Sequence, residues 1–297
     1  MSSAACTNNL RYSTHQYGDH ALQCVGVWQH AARAKRLENR TGYWIIFIHG
    51  GAWLDPRNTL EDFIPSIRKM MSSRYMQSSA IRAFASIDYR LSPSRAFPQD
   101  PITTPNPELR AARHPDHIMD VHAALKMLQE EYELSNNYIL VGHSAGATLA
   151  FQLLMGETVL YHQHRPPSIL LPVAIIAVSG IYDLVGLEER HRGEYTRFIQ
   201  GAFGHNKETW ARVSPATFSG NFMECWNQGI RAILAHSPDD SLIDHVEIDA
   251  MSAKLARDGV EVSTIRDLTG DHDFVWQDGS QIAYLVFRLL GGLPTIP

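Results

Sequence analysis

YILVGHSAGATLAF, residues 138 to 151, runs from an apolar stretch through Gly142-His143-Ser144-Ala145-Gly146 into a helix-forming sequence. This is the G-x-S-x-G pattern in the strand, turn, helix setting where it has mechanical meaning. Glycines flank the serine because so sharp a turn leaves no room for a Cβ on either side, and the turn lifts the hydroxyl above the sheet. The helix behind it points its positive end at the same spot. The same five residues could also make a tight strand-to-helix turn and nothing more, so the pattern has to be read with the rest of the chain.

Working outward, short apolar runs rich in β-branched residues recur at 43–48 (YWIIFI), 81–87 (IRAFASI), 137–141 (NYILV), 173–178 (VAIIAV), 230–235 (IRAILA) and 260–265 (VEVSTI). Most are continuous rather than alternating, the mark of strands covered on both faces. Helix-length segments lie between them at 117–132, 144–155, 245–259 and 280–291. The alternation predicts an α/β fold with a mostly parallel central sheet and helices on both faces. Residues 21–29 are a candidate for antiparallel edge strands. The segment 92–116 is crowded with proline and reads as a surface loop. Residues 184–227 hold several aromatics and no clear strand, which predicts a small cap inserted into a single domain spanning 1–297.

A serine hydroxyl is a poor nucleophile at neutral pH and needs a histidine base with an acid to orient it. In this fold they follow in the order Ser, Asp, His. The stretch 233–244 (ILAHSPDDSLID) places carboxylates just past one strand, and 267–276 (DLTGDHDFVW) places His272 in a glycine-containing loop past the last. Loops at the C-terminal ends of parallel strands share one crevice, so residues far apart in sequence can meet there. Asp239 and Asp240 compete for the acid; Asp183 is a third candidate, though it also suits the N-cap of the next helix. His143, His236 and His245 lie close enough to these loops to compete with His272.

FIHGGAWLD, residues 47 to 55, leaves an early strand into the loop where oxyanion donors arise. His49-Gly50-Gly51 can bend so that the N–H groups of Gly51 and Ala52 meet the developing charge, with Ala145 N–H as the third donor. Each such donor is worth on the order of 3 kcal/mol of barrier. Trp53 suits either an aromatic wall for a substrate or a core indole.

The formal charge of −5 across 297 residues offers no basic stripe for nucleic acid and no polybasic membrane patch. A small-molecule substrate is the expected partner. Cys6, Cys24 and Cys225 are odd in number and widely spaced, which suggests neither a disulfide framework nor a zinc site. No pair of histidines has His-Glu-x-x-His spacing, so no metal is expected, and no pattern implies a cofactor. The first twenty residues lack a basic segment followed by an apolar one, and no apolar run approaches about 18 residues, so the expected location is the cytoplasm.

With these residues in place, the chain resembles the kynurenine formamidases (arylformamidases), relatives of the hormone-sensitive-lipase-like esterases within the α/β-hydrolase fold. HGGAW (49–53) fits the His-Gly-Gly-x-Trp form of these enzymes, where simple esterases carry His-Gly-Gly-Gly. DYRLSP (88–93), GHSAG (142–146), SGIYDL (179–184), FIQGAFG (198–204) and HSPDDSL (236–242) follow in the expected order. The resemblance implies Ser144 as nucleophile, Asp240 as acid and His272 as base, with N-formyl-L-kynurenine as substrate and a homodimer as a plausible assembly. A broad-specificity carboxylesterase would use the same residues. A non-catalytic binding module of hydrolase fold would have no need of the complete Ser, Asp, His order.

Overall fold

Six apolar side chains in a row at 43–48 leave no face for water, so that strand needs cover on both sides. The computed structural model, which describes residues 10–30, 42–73, 80–160, 168–226 and 228–294, provides it. Cys6 and the opening residues 1–9 lie outside the described residues, as does position 227 of the expected cap.

Among the described residues eight strands form one sheet: β1 (Leu10–Gln16), β2 (Cys24–His30), β3 (Tyr43–Ile48), β4 (Ile81–Ile87), β5 (Tyr138–His143), β6 (Ala174–Val178), β7 (Arg231–Ala235) and β8 (Val262–Ile265). Their order is β1-β2-β4-β3-β5-β6-β7-β8. β1 and β2 pair antiparallel at one edge, and β4 through β8 run parallel. The edge segment at 21–29 is thus a strand, and β1 joins it. β1 went unrecognised in the sequence because LRYSTHQ carries little apolar pattern and half-exposed side chains.

Helices α1 (Ile64–Ser72), α2 (Asp116–Tyr132) and α3 (Ala145–Met155) follow β3, β4 and β5. The segment 184–226 holds α4 (Leu184–Arg190), α5 (Thr196–Phe203), α6 (Lys207–Val213) and α7 (Phe222–Cys225), all between β6 and β7. The chain finishes with α8 (His245–Arg257), α9 (Phe274–Asp278) and α10 (Ser280–Leu290). Along β3 the side chains divide by parity. Trp44, Ile46 and Ile48 face a core shared with α2, α3 and α8, while Ile45 and Phe47 face one shared with α1 and α10. Phe47 stacks on Phe63 there, with centroids 4.9 Å apart. The proline-rich segment 92–116 is irregular apart from one short 3-10 turn at Asn106–Glu108 and its last residue, Asp116, which opens α2. Among the described residues no helix is long and apolar enough to cross a membrane.

Candidate active site

β5 gives way to α3 at Ser144, which is only 4% exposed and has φ 52° and ψ −120°. A non-glycine residue held there costs on the order of 1–3 kcal/mol, so its surroundings must over-determine it. Ser144 N–H donates to Val178 O of β6 at 2.9 Å, and Ser144 O accepts from Ala147 N–H at 3.0 Å. A Cβ on Gly142 would stand 2.5 Å from Gly146 O, and one on Gly146 would stand 2.1 Å from Ile48 O. The two glycines therefore let the elbow close on its own helix and on the end of β3.

Past β7 and β8, two loops meet. The Nδ1 of His272 lies 2.9 and 3.0 Å from the two carboxylate oxygens of Asp240, whose side chain is fully covered. Oδ1 of the same carboxylate accepts from the N–H groups of Leu242 and Ile243 at 3.0 and 2.9 Å. Burial alone would raise this carboxyl, but the His272 ring and the Ile243 N–H outweigh it and hold it at about 2. A carboxylate facing Nδ1 assigns the ring proton to that nitrogen and leaves the lone pair on Nε2.

The competing residues separate by geometry. Asp239 is exposed and accepts from Gly270 N–H at 2.9 Å, bracing the loop that carries His272. Asp183 caps α4 by accepting from Gly186 N–H at 3.0 Å. His236 stays 3.9 Å from Asp240, and His245 is exposed at the start of α8. His143 is buried behind the elbow, where its Nε2–H donates to the carbonyl of His272 at 3.0 Å. Burial, with the neighbouring His272, lowers His143 to about 3 and keeps it neutral.

The loop after β3 approaches from the other side. Gly51, Ala52 and Trp53 all have positive φ, at 86°, 47° and 62°. The N–H groups of Leu54 and Asp55 both close on Gly51 O at 2.9 Å, and Ser92 N–H donates to Trp53 O at 2.8 Å. Tyr89 Oη–H reaches the carbonyls of Gly50 and His49 at 3.0 and 3.2 Å, and its ring stacks on His49 with centroids 4.5 Å apart. A Cβ on Gly50 would lie 3.0 Å from the Cβ of Ser144, so the loop packs directly on the elbow. With these carbonyls turned back into the protein, the N–H groups of Gly51, Ala52 and Ala145 find no acceptor among the described residues. Gly51, Ala52, Ser144 and His272 border one cavity of about 290 Å³, which Tyr195 and Phe198 of the α4–α5 region also line.

The solved structures similar to the chain share this architecture. They include an esterase B of Lactobacillus rhamnosus (TM-score 0.67, 18% identity, 95% of this chain and 86% of that one) and carboxyl esterase 2 of Tuber melanosporum (0.64, 16%, 96% and 86%). No protein-family model matches the chain. The curated relatives are closer in sequence. A kynurenine formamidase-like hydrolase of Fusarium equiseti is 36% identical over 280 residues, covering 91% of this chain and 90% of that protein. Kynurenine formamidases of Aspergillus versicolor (35%, 79% and 84%) and Meyerozyma guilliermondii (30%, 93% and 92%) follow. The chain belongs to the kynurenine formamidase family.

Of the two roles open to Trp53, substrate wall or core indole, its position fits the second. Trp53 is fully buried and does not border the cavity. Its indole meets Phe203 edge-on at 4.8 Å and lies 6.2 Å from Phe198, so it backs the wall rather than forming it. The aromatic surface that the cavity does present comes from Tyr195 and Phe198, which sequence reasoning did not single out. Phe198 opens FIQGAFG, one of the stretches on which the resemblance rests, whereas Tyr195 lies before it. Asn58 was also missed: it borders the cavity and fills the space beside Gly51.

Among the described residues, His143, His272 and Asp273 present potential metal-ligating atoms within 4.8 Å of one another. Two of the imidazole nitrogens are already committed, Nε2 of His143 to a carbonyl and Nδ1 of His272 to Asp240.

Proposed function

We propose that this formamidase hydrolyses N-formyl-L-kynurenine to L-kynurenine and formate, with Ser144 as nucleophile, His272 as base and Asp240 as orienting acid. One observation carries the reading: a single cavity is bordered by Ser144, by the Gly51-Ala52 turn and by a histidine whose Nδ1 is held 2.9 Å from a buried carboxylate. Kinship with proteins named kynurenine formamidase supports the substrate.

The Ser144 hydroxyl attacks the formyl carbon while Nε2 of His272 takes its proton, and the Asp240 carboxylate stabilises the resulting imidazolium. Charge moves to the formyl oxygen, where the N–H groups of Gly51, Ala52 and Ala145 receive it. The C–N bond then breaks as His272 returns the proton to the arylamine nitrogen. An arylamine is less basic than an alkylamine, which makes its expulsion easier to assist with one histidine. Water, deprotonated by His272, attacks the formyl-serine, and formate leaves as Ser144 regains its proton.

A formyl group carries no side chain, which suits a cavity at the small end of the usual ligand-pocket range of about 300–1,000 Å³. A cytoplasmic location is part of the same reading, supported by Cys24 and Cys225 both being free thiols. Incubation with N-formyl-L-kynurenine tests the proposal by following both products. Kynurenine and formate should appear in equal amounts, and Ser144→Ala should lower the rate by about four orders of magnitude. Ester hydrolysis in the same preparation with no formate released from the formamide would sink it.

A further inference from the structure

Beside the site cavity lies a larger one of about 640 Å³, walled by the proline-rich segment 93–113 on one side and α5 on the other. Leu54 and Phe198 border both cavities. Arg57 borders the smaller one and places its guanidinium 5.1 Å from the ring centroid of Phe97, which borders the larger. The two spaces are therefore neighbours across a thin wall of Leu54, Phe198 and the Arg57–Phe97 pair.

Their charges differ. The larger cavity is bordered by Arg95, Arg110, Arg113 and Arg197 and by no Asp or Glu, in a chain whose formal charge is −5. Arg110 is occupied within the fold, since its guanidinium donates to Phe97 O at 2.6 Å. Arg57, on the wall, is neutralised by Asp55 at 2.6 Å. Arg95, Arg113 and Arg197 have no ion-pair partner among the described residues. Like charges gathered around one concavity repel each other unless an anion joins them, and guanidinium forks match the two oxygens of a carboxylate. Arg197 is the chain neighbour of Phe198, which borders both cavities.

We propose that this arginine-lined annex binds the carboxylate of the substrate's amino-acid end, with Arg197 as the main contact and Arg95 and Arg113 supporting it. The assignment rests on the formamidase reading and deepens it. With the formyl group at Ser144, the aromatic ring lies against Phe198 and the amino-acid chain passes Leu54 toward the arginines. Binding energy gained at this remote end is available to lower the barrier at the formyl carbon. The segment 93–113 thus acquires a purpose that its proline content alone does not supply: it is a stiff outer wall that carries two of the three arginines.

The experiment compares N-formyl-L-kynurenine with its decarboxylated analogue N-formylkynuramine, which differs only in lacking the carboxylate. In the unaltered protein the ratio of kcat/KM should favour the carboxylate-bearing substrate. In Arg197→Gln that ratio should fall at least about tenfold, the scale of one charge-assisted hydrogen-bond pair, with part of the change in kcat. Arg95→Gln/Arg113→Gln should lower it further when added. A ratio that stays within about twofold overturns the annex, and so does an equal loss on both substrates, which would indicate a structural role for Arg197. If neither formamide is turned over, the formamidase reading fails separately, and the annex is judged on inhibition of aryl-ester hydrolysis by 4-phenylbutyrate and by its neutral amide. Preferential inhibition by the acid that Arg197→Gln removes supports an anion subsite. Equal inhibition by acid and amide overturns it.

Discussion

Asp239 and Asp240 are adjacent in sequence and perform different tasks. The carboxylate of Asp240 is sealed from solvent against His272, while that of Asp239 reaches across to Gly270 N–H at 2.9 Å. Asp240→Asn should therefore lower kcat by several orders of magnitude, because an amide can fix the wrong imidazole tautomer and leaves the imidazolium unstabilised. Asp239→Asn should lower it only a few-fold, since an amide oxygen can still accept from Gly270. Steady-state kinetics on the two folded variants decides the matter, and the reverse order would reassign the acid. Ser144 and His272 were legible in the sequence because their loops follow strands in a fixed order. The choice between the aspartates was not legible from spacing, because one residue of offset at a turn reverses the direction of a side chain. Only the resemblance favoured Asp240 at that stage.

At the scale of elements, the loop after β3 shows how the fold decides between two readings of one residue. HGGAW left the indole open between a substrate wall and the core, and in the fold it lies fully buried against Phe203, at the end of a turn whose residues Gly51 through Trp53 all have positive φ. Trp53→Ala should therefore behave as a core truncation, costing about 3–5 kcal/mol of stability. Its activity should fall by similar factors on the formamide and on a small aryl ester, because both depend on the same turn. Chemical denaturation together with both assays checks this; a selective loss on the formamide with unchanged stability would return the indole to the substrate wall. The parallel strands were legible because continuous apolar runs such as 43–48 admit few other structures. α1 was less so: IPSIRKMMS has proline as its second residue and carries basic residues on its outer face, and it becomes a helix by packing Ile67 and Met70 against the sheet. The role of α5 was hidden for a similar reason. Phe198 on a short helix means nothing until the fold brings that helix over Ser144, and we take α4 to α7 as the cap expected from 184–227.

At the scale of the molecule, buried titrating groups tie stability to pH. Burial lowers His49, His114 and His122 to about 4 and His117 and His143 to about 3, and lowers His236 as well. Burial raises Asp62, Asp88 and Glu247 to about 7. As pH falls from 7 to 5, the unfolded chain takes up protons near the ordinary histidine value of about 6.5 that the folded imidazoles refuse, which removes stability. The carboxyls act in the opposite sense, because only their folded forms bind protons in that range. Among the described residues the six histidines outnumber the three carboxyls, so Tm should decline from pH 7 to pH 5 at constant ionic strength; a flat or rising Tm would show that the carboxyls prevail. Elbow, turn, cap and annex together form a site shaped for a formylated arylamine rather than for esters at large. The most direct test of that shape is the ratio of kcat/KM for N-formyl-L-kynurenine to that for a short-chain aryl ester such as 4-nitrophenyl acetate. The ester is the more reactive compound in water, so a ratio above one has to come from the protein's contacts with the ring and the amino-acid end. A site of this shape should give a ratio well above one; efficient ester cleavage with negligible formamide turnover would leave a general carboxylesterase on the same fold.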